Sequence, residues 1–323
     1  MNTPPLARYL PDVSPLAFGC MGLGGGWNRD PISAEHRQQA HAAVDAALAA
    51  GINFFDHADI YTLGKAEQVF GEVLRERPGL REEIYLQSKC GIRFAEGELP
   101  GRYDFSRQWI LHSVDGILRR LGIDYLDSLL LHRPDPLMEP EEVAGAFASL
   151  REAGKVGFFG VSNMQLHQIR FLQAALPEPL VANQISVSLA ELDWLEEGVM
   201  VGDPAGKDLN FTAGTLQYCR LHGIQIQSWG SLAQGLYSGR DVSDREDRIQ
   251  DTARRVENLA RRYGVSREAI VLGWLMRPPV AIQPVIGTLN PARIRACGEA
   301  PGVRLSRDDW YTLYVAARGQ PLP

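Results

Sequence analysis

One unit recurs along this chain: an amphipathic stretch ends at a glycine, an apolar run follows, and the run ends in polar residues. "AVDAALAAG" leads into "INFFDHA", "VDGILRRLG" into "IDYLDSLLLHRP", "AFASLREAG" into "KVGFFGVSN", and "LQYCRLHG" into "IQIQSWG". Glycine just past a helix closes the last turn in a left-handed conformation. In the second unit Ile110, Val114, Ile117, Leu118 and Leu121 recur at helical spacing and give one stripe for burial. "EIYLQSKC", "LVANQISVS" and "IQPVIGT" add three strand candidates, and "LAFGCMGLG" near the start brings the total to eight. The runs are short and nearly continuously apolar, as strands are when both faces are covered. This alternation predicts an α/β fold, a (β/α)8 TIM barrel with long loops at its C-terminal mouth.

No linker or low-complexity tract interrupts the pattern, so the chain reads as one barrel domain over residues 1–323. Barrels routinely exceed about 200 residues as one unit. Residues 191–214 and 237–248 are irregular or strongly polar and read as long loops. Two rival α/β folds fail on their motifs. "GCMGLGGGW" has glycines without the spacing of a dinucleotide-binding turn, and Gly64-Lys65 is followed by Ala66 rather than the Ser or Thr of a P-loop.

The net charge of −6 argues against nucleic acid or an anionic membrane as a partner, while leaving room for a local basic pocket. Cys20, Cys90, Cys219 and Cys297 fit no zinc template and read as free thiols of a reducing compartment. "MNTPPLARYL" has no apolar core of a leader, and no run approaches the roughly 18 apolar residues of a membrane span. The expectation is a cytoplasmic protein.

In a barrel the C-terminal strand ends converge on one mouth. Here they carry Asp56 and His57, Lys89, His132 and Arg133, Ser162 and Asn163, Gln184, Trp229, and Gly287 with Thr288. Tyr61 lies just beyond the second strand. A lysine cation beside a phenol lowers its pKa, and an aspartate keeps that lysine charged and oriented. Such a tyrosine can protonate a developing alkoxide, and a histidine can donate to the same oxygen. None of these groups supplies a hydride, so the site needs a cofactor. Asn, Gln and Ser suit a carboxamide, Trp229 offers a flat face, and Arg293 behind Pro291 suits a phosphate at a helix N-terminus. His57 with Asp59 could begin a metal site, but Lys89 stands where a further ligand would be needed, so no metal is expected. Alternation turns Cys90 to the face opposite Lys89.

The stretches "FFDHADIYTLGKAEQVFGEVL", "LQSKCGI", "LLLHRPDPLM", "GKVGFFGVSN", "NQISVS", "QSWGSLAQG" and "PVIGT" together resemble the aldo/keto reductase superfamily, closest to bacterial members with the DHADIY and HRPDPLM motifs. The resemblance runs from Leu16 to about Arg318. It implies a TIM barrel that binds NADPH (NADP+) and reduces a small carbonyl substrate. By the family's motif, Tyr61 is the general acid, Lys89 lowers its pKa, Asp56 supports Lys89, and His132 orients the carbonyl. The resemblance places Ser162, Asn163 and Gln184 on the carboxamide and Trp229, commonly tyrosine in relatives, against the ring. Gly230, Ser231, Leu232 and Gly235 resemble the pyrophosphate loop. Gly287, Thr288, Asn290 and Arg293 resemble the adenosine-phosphate site, and Gly19, Cys20 and Met21 end the first strand beside the cofactor. Trp27, His57 and Tyr103 are the candidates for the substrate pocket. Departures are Gly230 where many members have serine, Gly287 where many have lysine, Cys297 where many have asparagine, and His57 where threonine is common. Two other readings remain open: a cofactor-binding regulatory or redox-sensing protein on the same fold, and a metal-dependent barrel hydrolase. The sequence names neither the substrate nor the oligomeric state.

Overall fold

Each of the eight strand-like runs becomes a strand of one closed parallel barrel in the computed structural model, which describes residues 4–323. Residues 1–3, the start of the stretch read as having no leader, lie outside the described residues. The strands in chain order are β1 (Ala17–Gly19), β2 (Phe54–Asp56), β3 (Tyr85–Cys90), β4 (Ile92–Arg93), β5 (Arg102–Tyr103), β6 (Leu126–Leu131), β7 (Val156–Ser162), β8 (Ala182–Ser186), β9 (Gln225–Trp229) and β10 (Gln283–Ile286). The barrel closes in the order β1-β10-β9-β8-β7-β6-β3-β2, and β4 and β5 form a separate antiparallel pair.

The helices are α1 (Ala34–Ala49), α2 (Lys65–Glu76), α3 (Leu80–Glu83), α4 (Arg107–Leu121), α5 (Pro140–Glu152), α6 (Leu166–Gln173), α7 (Asp193–Val199), α8 (Thr215–His222), α9 (Asp247–Tyr263), α10 (Arg267–Met276), α11 (Pro291–Gly298) and α12 (Arg307–Arg318). The second repeat unit shows why they form where they do. Ser106 caps α4 by accepting from the Trp109 amide, and Gly122, at φ 67°, closes its C-terminus. The stripe Ile110, Val114, Ile117, Leu118 and Leu121 is buried throughout.

Side chains on the outer strand faces meet the helices in one large core, while Leu6, Leu10, Val13, Ala17, Phe54, Leu130, Ala182 and Val285 form a second cluster with the N-terminal segment. Gly160 on β7 is required by this closeness. A Cβ there would lie 2.5 Å from Leu130 Cδ2 and 2.7 Å from the Ala182 carbonyl.

Two loop expectations are revised in part. Residues 191–214 contain α7 and a short 3-10 turn at Pro204–Asp208. Trp194 of α7 is buried edge-on against Trp274 of α10, with ring centroids 5.8 Å apart. A seven-residue helix held by one indole leaves too little periodicity to read from sequence. In 237–248, Tyr237 and Ser238 are buried, and α9 starts at Asp247. Among the described residues no helix is long and apolar enough to cross a membrane.

Candidate active site

Strand alternation decides which polar residues meet. Asp56 pairs in register with Gln87, so Lys89, two residues on in β3, emerges on the same inner face. Beyond β2 the chain stays extended, with the His57 amide donating to Gln87 O and the Asp59 amide to Lys89 O. It then turns sharply through Tyr61–Gly64, where Thr62 and Leu63 hold φ values of 47° and 61°. Left-handed backbone at two non-glycine residues is costly and needs outside support. Part of that support is the Thr62 hydroxyl, which donates to Leu23 O at 2.9 Å.

The turn brings the Tyr61 hydroxyl to Lys89. All three Lys89 protons are used: Nζ donates to Asp56 Oδ2, to Tyr61 OH and to the His57 carbonyl, each at 2.8 Å. Lys89 is fully buried, and burial alone would discharge it; the facing Asp56 carboxylate, with the hydrogen bond to the Tyr61 hydroxyl, outweighs that and holds its pKa above the usual lysine value. Tyr61 accepts from Lys89, which leaves its own O–H proton free to be given away. The expected lowering of the Tyr61 pKa is corrected: burial raises it, Lys89 is the largest opposing influence, and the net direction is up.

His132 stands edge-on to Tyr61, with ring centroids 5.9 Å apart. Burial, then Lys89 and Arg133, push its pKa down to about 2, so the ring is neutral at ordinary pH. Its Nδ1 is sealed without a partner among the described residues. A neutral imidazole donates from one nitrogen only.

Around this group the rim is polar. Asn163 holds φ 58°; its Nδ2 donates to Ser162 Oγ at 2.8 Å and to the His132 carbonyl at 3.2 Å, and its Oδ1 accepts from Trp229 Nε1 at 2.9 Å. Ser162 Oγ donates to the Gln184 carbonyl. Trp229 is exposed, and the Arg133 guanidinium lies 5.7 Å from its ring centroid. Behind it Gly230 has open space where a Cβ would point, Ser231 is buried and bonded to the Val285 carbonyl, Leu232 is half-buried, and Ala233 and Gln234 take positive φ before Gly235. A Cβ on Gly235 would lie 3.0 Å from Arg293 Nη2. Arg293 bonds Glu268 Oε1 at 3.1 Å and Ser238 Oγ at 3.2 Å. Asn290 caps α11 by accepting from the Ala292 and Arg293 amides, Thr288 Oγ1 accepts from the Asn290 amide, and Gly287 has open space. The candidate cofactor residues thus lie along one path from Trp229 to α11, with an exposed ring at one end and the Arg293 guanidinium at the other.

The remaining expected residues divide. Gly19 is accounted for by packing, since a Cβ would meet Val285 Cγ1 at 3.0 Å. Cys20 is buried with its thiol on Phe18 O, and Met21 is exposed. Trp27 and Tyr103 are exposed, on the loop after β1 and on the hairpin after β3. His57 does not line a pocket, which corrects the substrate-site expectation. Alternation turns it outward, where it is fully buried edge-on against Phe70 of α2 at 4.7 Å. Sequence reading missed Gln87, Gln227 and Gln283 inside the barrel, and Ser238 and Glu268 at Arg293. The inner-face signal was available for Gln87, two residues before Lys89. Nothing in the sequence pairs Glu268 with Arg293.

A parallel barrel with this polar mouth defines a class of enzyme, and comparison with known proteins identifies it. The model of the aldo/keto reductase family matches residues 15–315. The chain belongs to the aldo/keto reductase family and is an NAD(P)H-dependent oxidoreductase. It is 38% identical to the oxidoreductase YcsN of Bacillus subtilis, over 84% of this chain and 86% of that protein. It is 33% identical to a 6-dehydroglucose reductase of Agrobacterium fabrum, over 96% of each chain. In fold it resembles the glycerol dehydrogenase of Gluconobacter oxydans, with a TM-score of 0.78 at 22% identity over 96% of this chain and 94% of that one.

Proposed function

We propose that this chain, acting as one barrel domain, reduces an aldehyde or ketone group of a small substrate with NADPH, and that Tyr61 donates the proton. The carrying observation is the Lys89 ammonium, which bonds the Tyr61 hydroxyl and Asp56 Oδ2 at 2.8 Å each. When bound, the nicotinamide supplies the hydride.

Tyr61 gives its free proton to the carbonyl oxygen as negative charge develops there. The phenolate left behind faces the buried Lys89 cation, which stabilises it. Asp56 keeps that cation in place. Neutral His132 holds the carbonyl oxygen by a hydrogen bond, which fixes its position without competing as an acid. Trp229 supports the nicotinamide ring, and Gln184 meets its carboxamide. Arg293, in the first turn of α11, meets the adenosine phosphate that distinguishes NADPH from NADH.

Two relatives named 6-dehydroglucose reductase, 33% and 36% identical to this chain, suggest polar sugar aldehydes as the first substrates to try. The test is NADPH oxidation followed by absorbance against sugar aldehydes, simple aldehydes, diketones and quinones. Turnover of at least one carbonyl supports the reading. NADPH binding without turnover of any would favour a regulatory role instead.

A further inference from the structure

The inside of a parallel barrel is usually filled by branched apolar side chains. Here one inner layer carries Gln87, Gln184, Gln227, Gln283 and Ser128, all buried. They sit in register rows: Asp56 beside Gln87 and Gln87 beside Ser128 on one side, Gln184 beside Gln227 and Gln227 beside Gln283 on the other. Burying amides where valine or leucine would fit is costly unless every group is paired, and a fully paired network fixes one arrangement.

The pairing runs in one direction. Gln283 Nε2 donates to the Ser14 carbonyl at 2.8 Å, and a backbone carbonyl cannot reverse its role. Gln283 Oε1 therefore accepts from Gln227 Nε2, at 3.0 Å. Gln227 Oε1 is then left to accept, and it takes Gln87 Nε2 at 2.8 Å and Gln184 Nε2 at 3.1 Å. Both of those NH2 groups consequently face inward, where each gives its second proton to Asp56 Oδ1, at 2.6 Å and 3.0 Å. Ser128 Oγ donates to Gln87 Oε1 and fixes the far side of that amide. Asp56 is held on one oxygen by two amides and on the other by Lys89. Gln184 has its oxygen turned away from Asp56 and Gln227, free to accept.

We propose that Gln87 and Gln227 are positioning residues of this site: they lock the Asp56 carboxylate in the orientation that meets Lys89, and they present Gln184 to the cofactor carboxamide as an acceptor of its NH2. This rests on the reading of Tyr61 as the acid and of Gln184 as a cofactor contact. An apolar layer would fill the same volume, but Asp56 could then swing away from Lys89 and Gln184 could turn its NH2 outward.

The test compares Gln87→Met and Gln227→Met with Gln225→Met and Tyr61→Phe. Gln225 is a fully buried glutamine on the same strand as Gln227, but its amide donates only to backbone carbonyls of Ile226 and Ala281. For each variant, kcat and KM for a neutral aldehyde, NADPH affinity by fluorescence titration, the pH profile of kcat and the melting temperature are measured. Gln87→Met is expected to lower kcat about tenfold with NADPH affinity within about twofold. Its alkaline limb moves to lower pH, because Lys89 keeps its proton to high pH only while Asp56 faces it. Gln227→Met lowers kcat and also weakens NADPH binding by roughly fivefold, since both amides lose their partner. Gln225→Met lowers the melting temperature and leaves kcat and its pH profile in place. The proposal is overturned if Gln87→Met keeps kcat and profile within about twofold of wild type, or if Gln225→Met loses as much turnover for the same loss of melting temperature. If Gln87→Met does not fold, Ser128→Ala carries the test: an unchanged kcat and alkaline limb overturn the proposal, and a two- to threefold loss with the same downward shift (about the effect of one weakened bond) supports it. Turnover retained by Tyr61→Phe would instead remove the acid assignment, a failure distinct from that of the glutamines.

Discussion

Replacing Asp59 by Asn should stabilise the protein, and by an amount that grows with pH. Asp59 lies between the Tyr61 turn and the helices α2 and α4. The residue as a whole is half-buried, yet its Oδ1 is sealed from solvent and has no partner among the described residues. Burial pushes its pKa from 3.8 up to about 8; the nearby Glu67 carboxylate adds to the rise and Arg120 opposes it. The acid is therefore neutral in the folded protein at pH 7 and ionised in the unfolded chain. Between the two pKa values folding takes up one proton, so stability is full below about pH 4 and falls by about 1.4 kcal/mol per pH unit up to about pH 8. Asn reproduces the neutral acid without that proton. From pH 5 to pH 7.5 the advantage of Asp59→Asn over wild type should grow by about 3 kcal/mol. Urea unfolding of both proteins at the two pH values, followed by fluorescence and extrapolated to water, measures it. An advantage that is the same at both pH values would mean that Asp59 is ionised in the fold, and the reasoning about its burial would be wrong.

His57 acts in the opposite direction: burial, with Lys89 adding to it, lowers its pKa from 6.5 to about 3, so wild type loses stability as pH falls from about 6.5 toward 3. His57→Leu should remove about 1.4 kcal/mol per pH unit of that loss, read by thermal melts at pH 4.5 and 7.5, and parallel curves would refute it. Gly71→Ala places a Cβ 2.5 Å from the Arg120 carbonyl and 2.7 Å from that of Leu121, where α2 meets α4. It should cost roughly 2–4 kcal/mol, seen as a clear drop in the urea midpoint; a cost near zero would mean the helices separate freely. Wild type should prefer NADPH to NADH by roughly ten- to a hundredfold, and Arg293→Ala should abolish most of that while barely changing NADH affinity. Titration of both cofactors into both proteins checks this, and a preference that survives the change would misplace the phosphate site.

The barrel was legible because the repeat unit is written four times along the chain: a glycine ends the helix and a short apolar run follows. The polar strand ends were legible for the same reason, since Asp56, Lys89 and His132 close three such runs. What sequence could not supply was the pairing within the inner layer. Gln87 and Gln227 look like ordinary polar interruptions until the register places Gln87 beside Asp56 and Gln227 beside Gln184. His57 looked like a mouth residue because it neighbours Asp56, and only the alternation of β2 sends it outward onto Phe70. The sign of the Tyr61 shift was misjudged because a lysine neighbour can be read from sequence, whereas the larger effect of burial cannot. The β4–β5 pair has two residues in each strand, below the length at which alternation carries a signal.

The measurement that bears most directly on the account is steady-state carbonyl reduction by Tyr61→Phe beside wild type, with NADPH affinity and melting temperature measured on the same samples. Phenylalanine removes the hydroxyl that Lys89 bonds at 2.8 Å and little else. The account predicts an intact fold, NADPH affinity within a few-fold of wild type (about 1 kcal/mol or less), and turnover reduced about 10²–10⁴-fold. Turnover within a few-fold of wild type, with binding and fold unchanged, would show that the proton comes from elsewhere.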